Sequence, residues 1–90
     1  MSDPAKLTSK HESLVHSEMC KVVSHVQRDD GEWSLNTLMI EGCDVPFQYR
    51  RKEKYKSLKG QRVNLTYYPA VRTVAGMNME VMNVVRVRVA

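Results

Sequence analysis

Residues 47–69 read FQYRRKEKYKSLKGQRVNLTYYP. Toward the end of this stretch Val63, Leu65 and Tyr67 alternate with Arg62, Asn64, Thr66 and Tyr68. That is the pattern of a strand with one face buried and one wet. Gly60 breaks the chain before it and Pro69 closes it, since proline cannot donate to a central ladder. At the start of the stretch Val45, Phe47 and Tyr49 alternate with Pro46, Gln48 and Arg50, which predicts another strand. Between the two, over residues 51–59, Tyr55 and Leu58 stand three apart. This spacing predicts one or two helical turns with a single apolar edge, ended by Gly60. The expected order is strand, short helix, glycine, strand.

Upstream, Cys20, Val22 and Val26 share one parity, and the doubled Val22-Val23 predicts a bulge or a strongly curved strand. Residues 29–32, DDGE, form a turn, because aspartate and glycine accept the backbone angles a tight reversal needs. A second strand returns over residues 33–41. Its apolar parity changes from Trp33 and Leu35 to Leu38 and Ile40, so a second bulge is expected near Asn36 and Thr37. Residues 41–44, EGCD, make the next turn. Downstream of Pro69, Ala75-Gly76 marks a loop tip, and residues 78–89 form the last strand. There Met79, Val81, Val85, Val87 and Val89 fall on one side, and Glu80, Arg86 and Arg88 on the other with Met82 and Val84. Residues 1–13 are polar with little apolar surface and are expected to form a mobile N-terminal arm. The remainder, residues 14–90, reads as a single all-β domain of five strands. A small sheet with a curved first strand removes its edges by closing on itself.

Ninety residues suit one small domain, and 42% apolar residues suffice for one modest core. Two cysteines do not make a disulfide framework. The chain shows no basic-then-apolar leader and no long apolar run, so a reduced, cytoplasmic protein is expected. Charge is uneven. Residues 1–49 carry four Lys/Arg against eight Asp/Glu, and residues 50–90 carry ten against two. Such asymmetry points to a polyanionic partner for the second half or to complementarity between the halves, and composition does not separate these.

The cations concentrate over residues 50–62, where Arg50, Arg51, Lys52, Lys54, Lys56, Lys59 and Arg62 face one acid, Glu53. Phosphate contacts by such residues release counterions and give salt-dependent affinity. Tyr49, Tyr55 and Tyr68 lie among or beside them, and phenol rings stack on bases. The competing reading is a solvated or protein-facing surface. Tyr67 shares the inward parity and Tyr68 the outward one. Trp33 is expected to be a lid on one end of the core, with a stacking platform as its alternative. His11, His16, Cys20 and His25 lack a paired-ligand motif, so no metal and no cofactor are expected. No glycine-rich phosphate loop, Gly-x-Ser-x-Gly or His-Glu-x-x-His motif occurs, and the chain reads as non-enzymatic.

Three meandering strands, a small helix and two further strands make a layout that resembles the OB-fold, the oligonucleotide/oligosaccharide-binding barrel. The resemblance is carried by the paired strands at residues 20–28 and 33–41, the link 51–59, the segment LKGQRVNL at 58–65 and the closing strand 79–89. It implies a five-stranded barrel with a short helix between strands three and four. It also implies binding across strands two and three, flanked by the first hairpin loop and the loop between strands four and five. Those places hold Trp33, Gln48, Arg50 and Arg72, together with an acidic turn (Asp29, Asp30, Glu32) that repels phosphate. The expected function is binding of single-stranded nucleic acid, DNA or RNA, by Arg50, Arg51, Lys52, Lys54, Lys59, Arg62, Tyr68 and Arg72. The alternative is a protein-interaction or adaptor module, including a homodimer, using the last strand and the patch of Met77, Met79 and Met82. A third possibility is another small barrel such as an SH3-like one, since five short strands do not set the topology.

Overall fold

The computed structural model describes residues 14–90; the arm expected over residues 1–13 lies outside them. The first strand, β1 (Val15–Asp30), is long enough to serve two neighbours. Its first part pairs antiparallel with β4 (Arg62–Val74), from Val15↔Tyr67 to Lys21↔Arg62. Its second part pairs antiparallel with β2 (Trp33–Ile40), from Val22↔Ile40 to Asp30↔Trp33. β3 (Phe47–Arg51) then pairs with β2, and β5 (Met77–Val89) pairs along β4. A short parallel ladder, Phe47↔Met82 and Gln48↔Asn83, joins β3 to β5. The strand order β1-β2-β3-β5-β4 closes into a ring, consistent with a small barrel. Among the described residues no helix is long and apolar enough to cross a membrane.

Changing partner within one strand requires bending, and the bends lie where extra residues interrupt the ladder. The register shifts between Val22 and Ser24, which is the bulge that the doubled valine predicts. A second irregularity lies between Ser17 and Cys20, where Met19 adopts φ 56°. A non-glycine residue there is strained unless its surroundings hold it. Here they do. Asn64 Oδ1 accepts from the Met19 amide at 3.0 Å, and Arg62 Nη1 donates to its carbonyl at 3.2 Å.

Inside the ring, Val22, Leu38, Ile40, Phe47, Val63, Leu65 and Val84 are buried together. Phe47 meets Tyr67 edge to face with ring centroids 4.8 Å apart. Tyr67 is therefore the inward tyrosine, and its hydroxyl lies 3.0 Å from Ser17 Oγ.

Three expectations need correction. No helix forms between β3 and β4. The link carries four lysines and only Tyr55 and Leu58 as large apolar residues, and a helix of under about twelve residues is marginal without a buried face. Its backbone is instead taken by β1 and its flanks. Gln27 Nε2 donates to the Tyr55 carbonyl at 2.7 Å, the Leu58 amide donates to His25 Nδ1 at 2.8 Å, and the Gly60 amide donates to the Val22 carbonyl at 2.8 Å. Second, β2 has no bulge near Asn36 and Thr37. It alternates regularly, with Ser34, Asn36, Leu38 and Ile40 all buried. The apparent parity change came from assigning Trp33 and Leu35 to the core, where polar Ser34 and Asn36 sit instead. Third, Met82 and Val84 face inward and Val85 faces out, 54% exposed. A register shift opposite Thr66 and Tyr67 leaves Val85 unpaired, so both Val84 and Val87 reach the interior.

Truncating Leu38, which is fully buried, to alanine is expected to cost about 3 kcal/mol. Val85→Ala at the exposed bulge is expected to stay within about 0.5 kcal/mol. Urea unfolding followed by circular dichroism measures both.

Candidate nucleic-acid interface

Alternation along β2 and β3 sends Trp33, Leu35, Gln48 and Arg50 to the outer face of the ring. Past Tyr67 on β4 and ahead of Met82 on β5, these two strands lose their other neighbours among the described residues and run on as a two-stranded ribbon. Its tip is Ala75-Gly76, both at positive φ (51° and 77°), which gives a two-residue turn matching the twist of the ribbon. Arg72 on the ribbon joins Leu35, Gln48, Arg50 and Asn83 around one shallow groove. Tyr68 borders it, its hydroxyl accepting from Asn83 Nδ2. Trp33 is not a lid on the core. It stands outside, 43% exposed, with Lys52 Nζ 5.5 Å from its ring centroid. The groove thus offers a guanidinium on each wall and two aromatic rings nearby.

The eight residues expected to bind do not form one patch. Arg50 Nε donates to Asp30 Oδ2 at 2.9 Å and Lys54 Nζ lies 3.0 Å from Asp29 Oδ1. The acidic turn therefore engages two of the cations, and both pairs are solvated enough to be weak. The Arg51 guanidinium lies over Tyr49 and Tyr55, 5.5 and 5.8 Å from their ring centres. Arg62 braces the Met19 bulge. Lys59 sits in the turn that bonds to Val22. Val22 and Asp29 are seven residues apart on β1, on the order of 20 Å, so Lys59 and Arg62 are far from Lys52 and Lys54. The structure brings together Arg50, Arg72 and Tyr68, with Lys52 against Trp33. It separates Lys59 and Arg62 from them.

A polar relay holds the link in place. The Leu58 amide can only donate, so His25 Nδ1 accepts and the ring is neutral. His25 Nε2 then donates to Asn36 Oδ1 at 2.8 Å, and Asn36 Nδ2 donates to the Ser34 carbonyl at 3.2 Å. Asn36 is 3% exposed, and a buried amide demands such partners. His25 is thus a structural clamp. Its inward position is legible only once the Val22–Ser24 bulge is counted. Among the described residues no three His, Cys, Asp or Glu side chains are grouped to hold a metal ion. Burial, and secondarily the nearby Cys43, pushes the Cys20 thiol above its ordinary value. Burial likewise raises the Tyr49 phenol, opposed by Arg51.

Compared with known proteins, the chain matches no family model, no curated protein and no solved structure.

His25→Ala removes the partner of buried Asn36 and of the Leu58 amide, with an expected loss of about 2–3 kcal/mol, read from urea unfolding. Lys56→Ala on the same link should leave stability within about 0.5 kcal/mol. A raised thiol pKa means less thiolate at a given pH. At mildly alkaline pH the half-buried Cys20 should alkylate several-fold more slowly than the exposed Cys43, as peptide mapping by mass spectrometry reads.

Proposed function

We propose that this chain is a small, non-enzymatic, cytoplasmic OB-like domain that binds single-stranded nucleic acid along the outer face of β2 and β3. The observation that carries this reading is the groove shared by Arg50 and Arg72, with Trp33 and Tyr68 beside it. Guanidinium groups on both walls suit a phosphate backbone, and the rings suit unpaired bases, which stack with little regard to sequence. The ring order, with its single parallel ladder between β3 and β5, sets the ribbon against this face. Such a placement accords with the way OB barrels use strands two and three and the loop between strands four and five. The binding set narrows to Arg50, Arg72, Lys52, Trp33 and Tyr68. Arg51 and Lys54 are flanking contacts, and Lys59 and Arg62 are outside it.

The acidic turn fits this reading as a competitor. Asp29 and Asp30 pair with Lys54 and Arg50, and a phosphate competes with them for these cations.

A second reading, a protein-interaction or homodimeric module, is favoured by the ribbon, where Val71, Val74, Met77 and Met79 are exposed together. Adaptable methionines on a projecting two-stranded element suit a protein contact.

Fluorescence anisotropy with a labelled oligo-dT and an oligo-U, each at several salt concentrations, tests the first reading. Binding should weaken steeply with salt. Arg50→Ala combined with Arg72→Ala should weaken it at least tenfold, Asp29→Asn with Asp30→Asn should tighten it several-fold, and Lys59→Ala should do little. Absence of binding at low salt, or a stable dimer in light scattering that ignores oligonucleotide, leaves the second reading standing instead.

A further inference from the structure

Between β3 and β5 the ring is only partly zipped. β3 pairs with β2 along all five of its residues, from Ser34↔Arg51 to Leu38↔Phe47. On its other side it meets β5 only at Phe47 and Gln48. From Val84 to Val89, β5 pairs with β4 on one edge and has no strand on the other among the described residues. The ring therefore carries a seam beside residues 84–89, bounded by residues 49–51 and, past Arg51, by Tyr55, Lys56 and Leu58 of the link. Tyr49, Arg50, Arg51, Val84, Arg86 and Val87 line a cleft there.

An unpaired strand edge is a row of main-chain donors and acceptors that accepts another strand. The side chains along it say which strand. Arg86 and Arg88 point outward on β5, and neither lies within ion-pair distance of an acid among the described residues. Arg50 and Arg51 stand across the seam. Facing inward are Val84 and Val87, packed on the core. No acidic side chain lines the cleft. A strand entering here places alternate side chains beside guanidinium groups and the others beside valines.

We propose that this seam is a docking slot for an extended segment of a partner protein in which acidic and apolar residues alternate, added as a strand to the β5 edge. Charge complementarity sets the occupant. A second copy of this chain presents the same Arg86 and Arg88 edge, and like charges in register repel it. Nucleic acid has phosphates for the arginines but no alternating main-chain ladder for the edge. The slot adjoins the groove of the proposed nucleic-acid site, with Tyr49, Arg50 and Val84 bordering both, but it does not include Arg72.

The test uses the full chain and a fluorescein-labelled eight-residue peptide alternating valine and glutamate. The expected result is saturable binding, weakened at least tenfold when glutamine replaces glutamate and when the chain carries Arg86→Glu with Arg88→Glu. Arg72→Ala should leave it unchanged. Amide hydrogen exchange by nuclear magnetic resonance should show new protection, on adding the peptide, at those amides of residues 84–89 that point away from β4. Should the charge-reversed chain fail to fold, Arg86→Gln with Arg88→Gln replaces it, with circular dichroism as the check. The proposal is overturned if those edge amides are already protected in the free chain, or if the glutamine peptide binds equally well. It is also overturned if oligo-dT protects residues 84–89 and the peptide does not, an outcome that leaves the nucleic-acid reading intact. Peptide binding without any oligonucleotide affinity removes that reading and keeps this one.

Discussion

Everything in this structure depends on one strand being shared by two neighbours. β1 gives its first part to β4 and its second part to β2, and the hand-over falls at Val22, fully buried at the centre of the core. A flat strand cannot turn from one partner to the other, so extra residues at Met19 and Val23 supply the bend. Bulges increase local twist and re-aim the side chains that follow. Here the re-aiming turns His25 and Gln27 toward the link and leaves Val26 outside, 42% exposed. Once β1 is curved this way, the sheet has no choice but to return on itself.

The curvature determines what becomes of the basic link. With His25 and Gln27 turned inward, their nitrogens meet the backbone of residues 55 and 58 and hold the segment extended. A helix would satisfy the same backbone groups internally, but it would leave His25 and Asn36 without partners in a place that water barely reaches. Local propensity is worth tenths of a kcal/mol per residue, whereas orphaning a buried amide costs whole ones. The lysines of the link are then spread along its length instead of being gathered on one helical face. The seven-cation cluster, continuous in the chain, is strung out along β1 from Asp30 to its midpoint at Lys21.

Two features of the surface follow from the same closure. β3 stays on β2 for five residues but on β5 for only two, and the seam opens beside Arg51 and Arg86. Because β4 and β5 are long, they outrun the ring and form the ribbon that brings Arg72 against Arg50. The long ribbon and the early parting of β3 from β5 thus produce one groove and one cleft on a small ring. The acids of the first hairpin lie beside these cations and form solvated, weak ion pairs with Arg50 and Lys54.

By itself the amino-acid order determined the strand count, the turns at Gly31 and Gly76, the curvature announced by Val22-Val23, and the inward row Val63, Leu65 and Tyr67. These are period-two patterns and backbone preferences, properties of a few adjacent residues. Only tertiary structure decided that the link is extended, that Asn36 and not Leu35 lies inside, and that Val84 and Val87 share the interior. Each of those depends on partners distant along the chain, namely Leu58 with His25, Asn36 with His25, and the bulge at Val85 against Thr66 and Tyr67. The site divides in the same way. Arg50, Arg72 and Tyr68 were legible as cations and an outward phenol, but the meeting of the two arginines in one groove bordered by Tyr68, and the parting of Lys59 and Arg62 from them, arises from closure of the ring. Alternation tells which face a side chain takes, while only the pairing of remote strands tells what stands beside it.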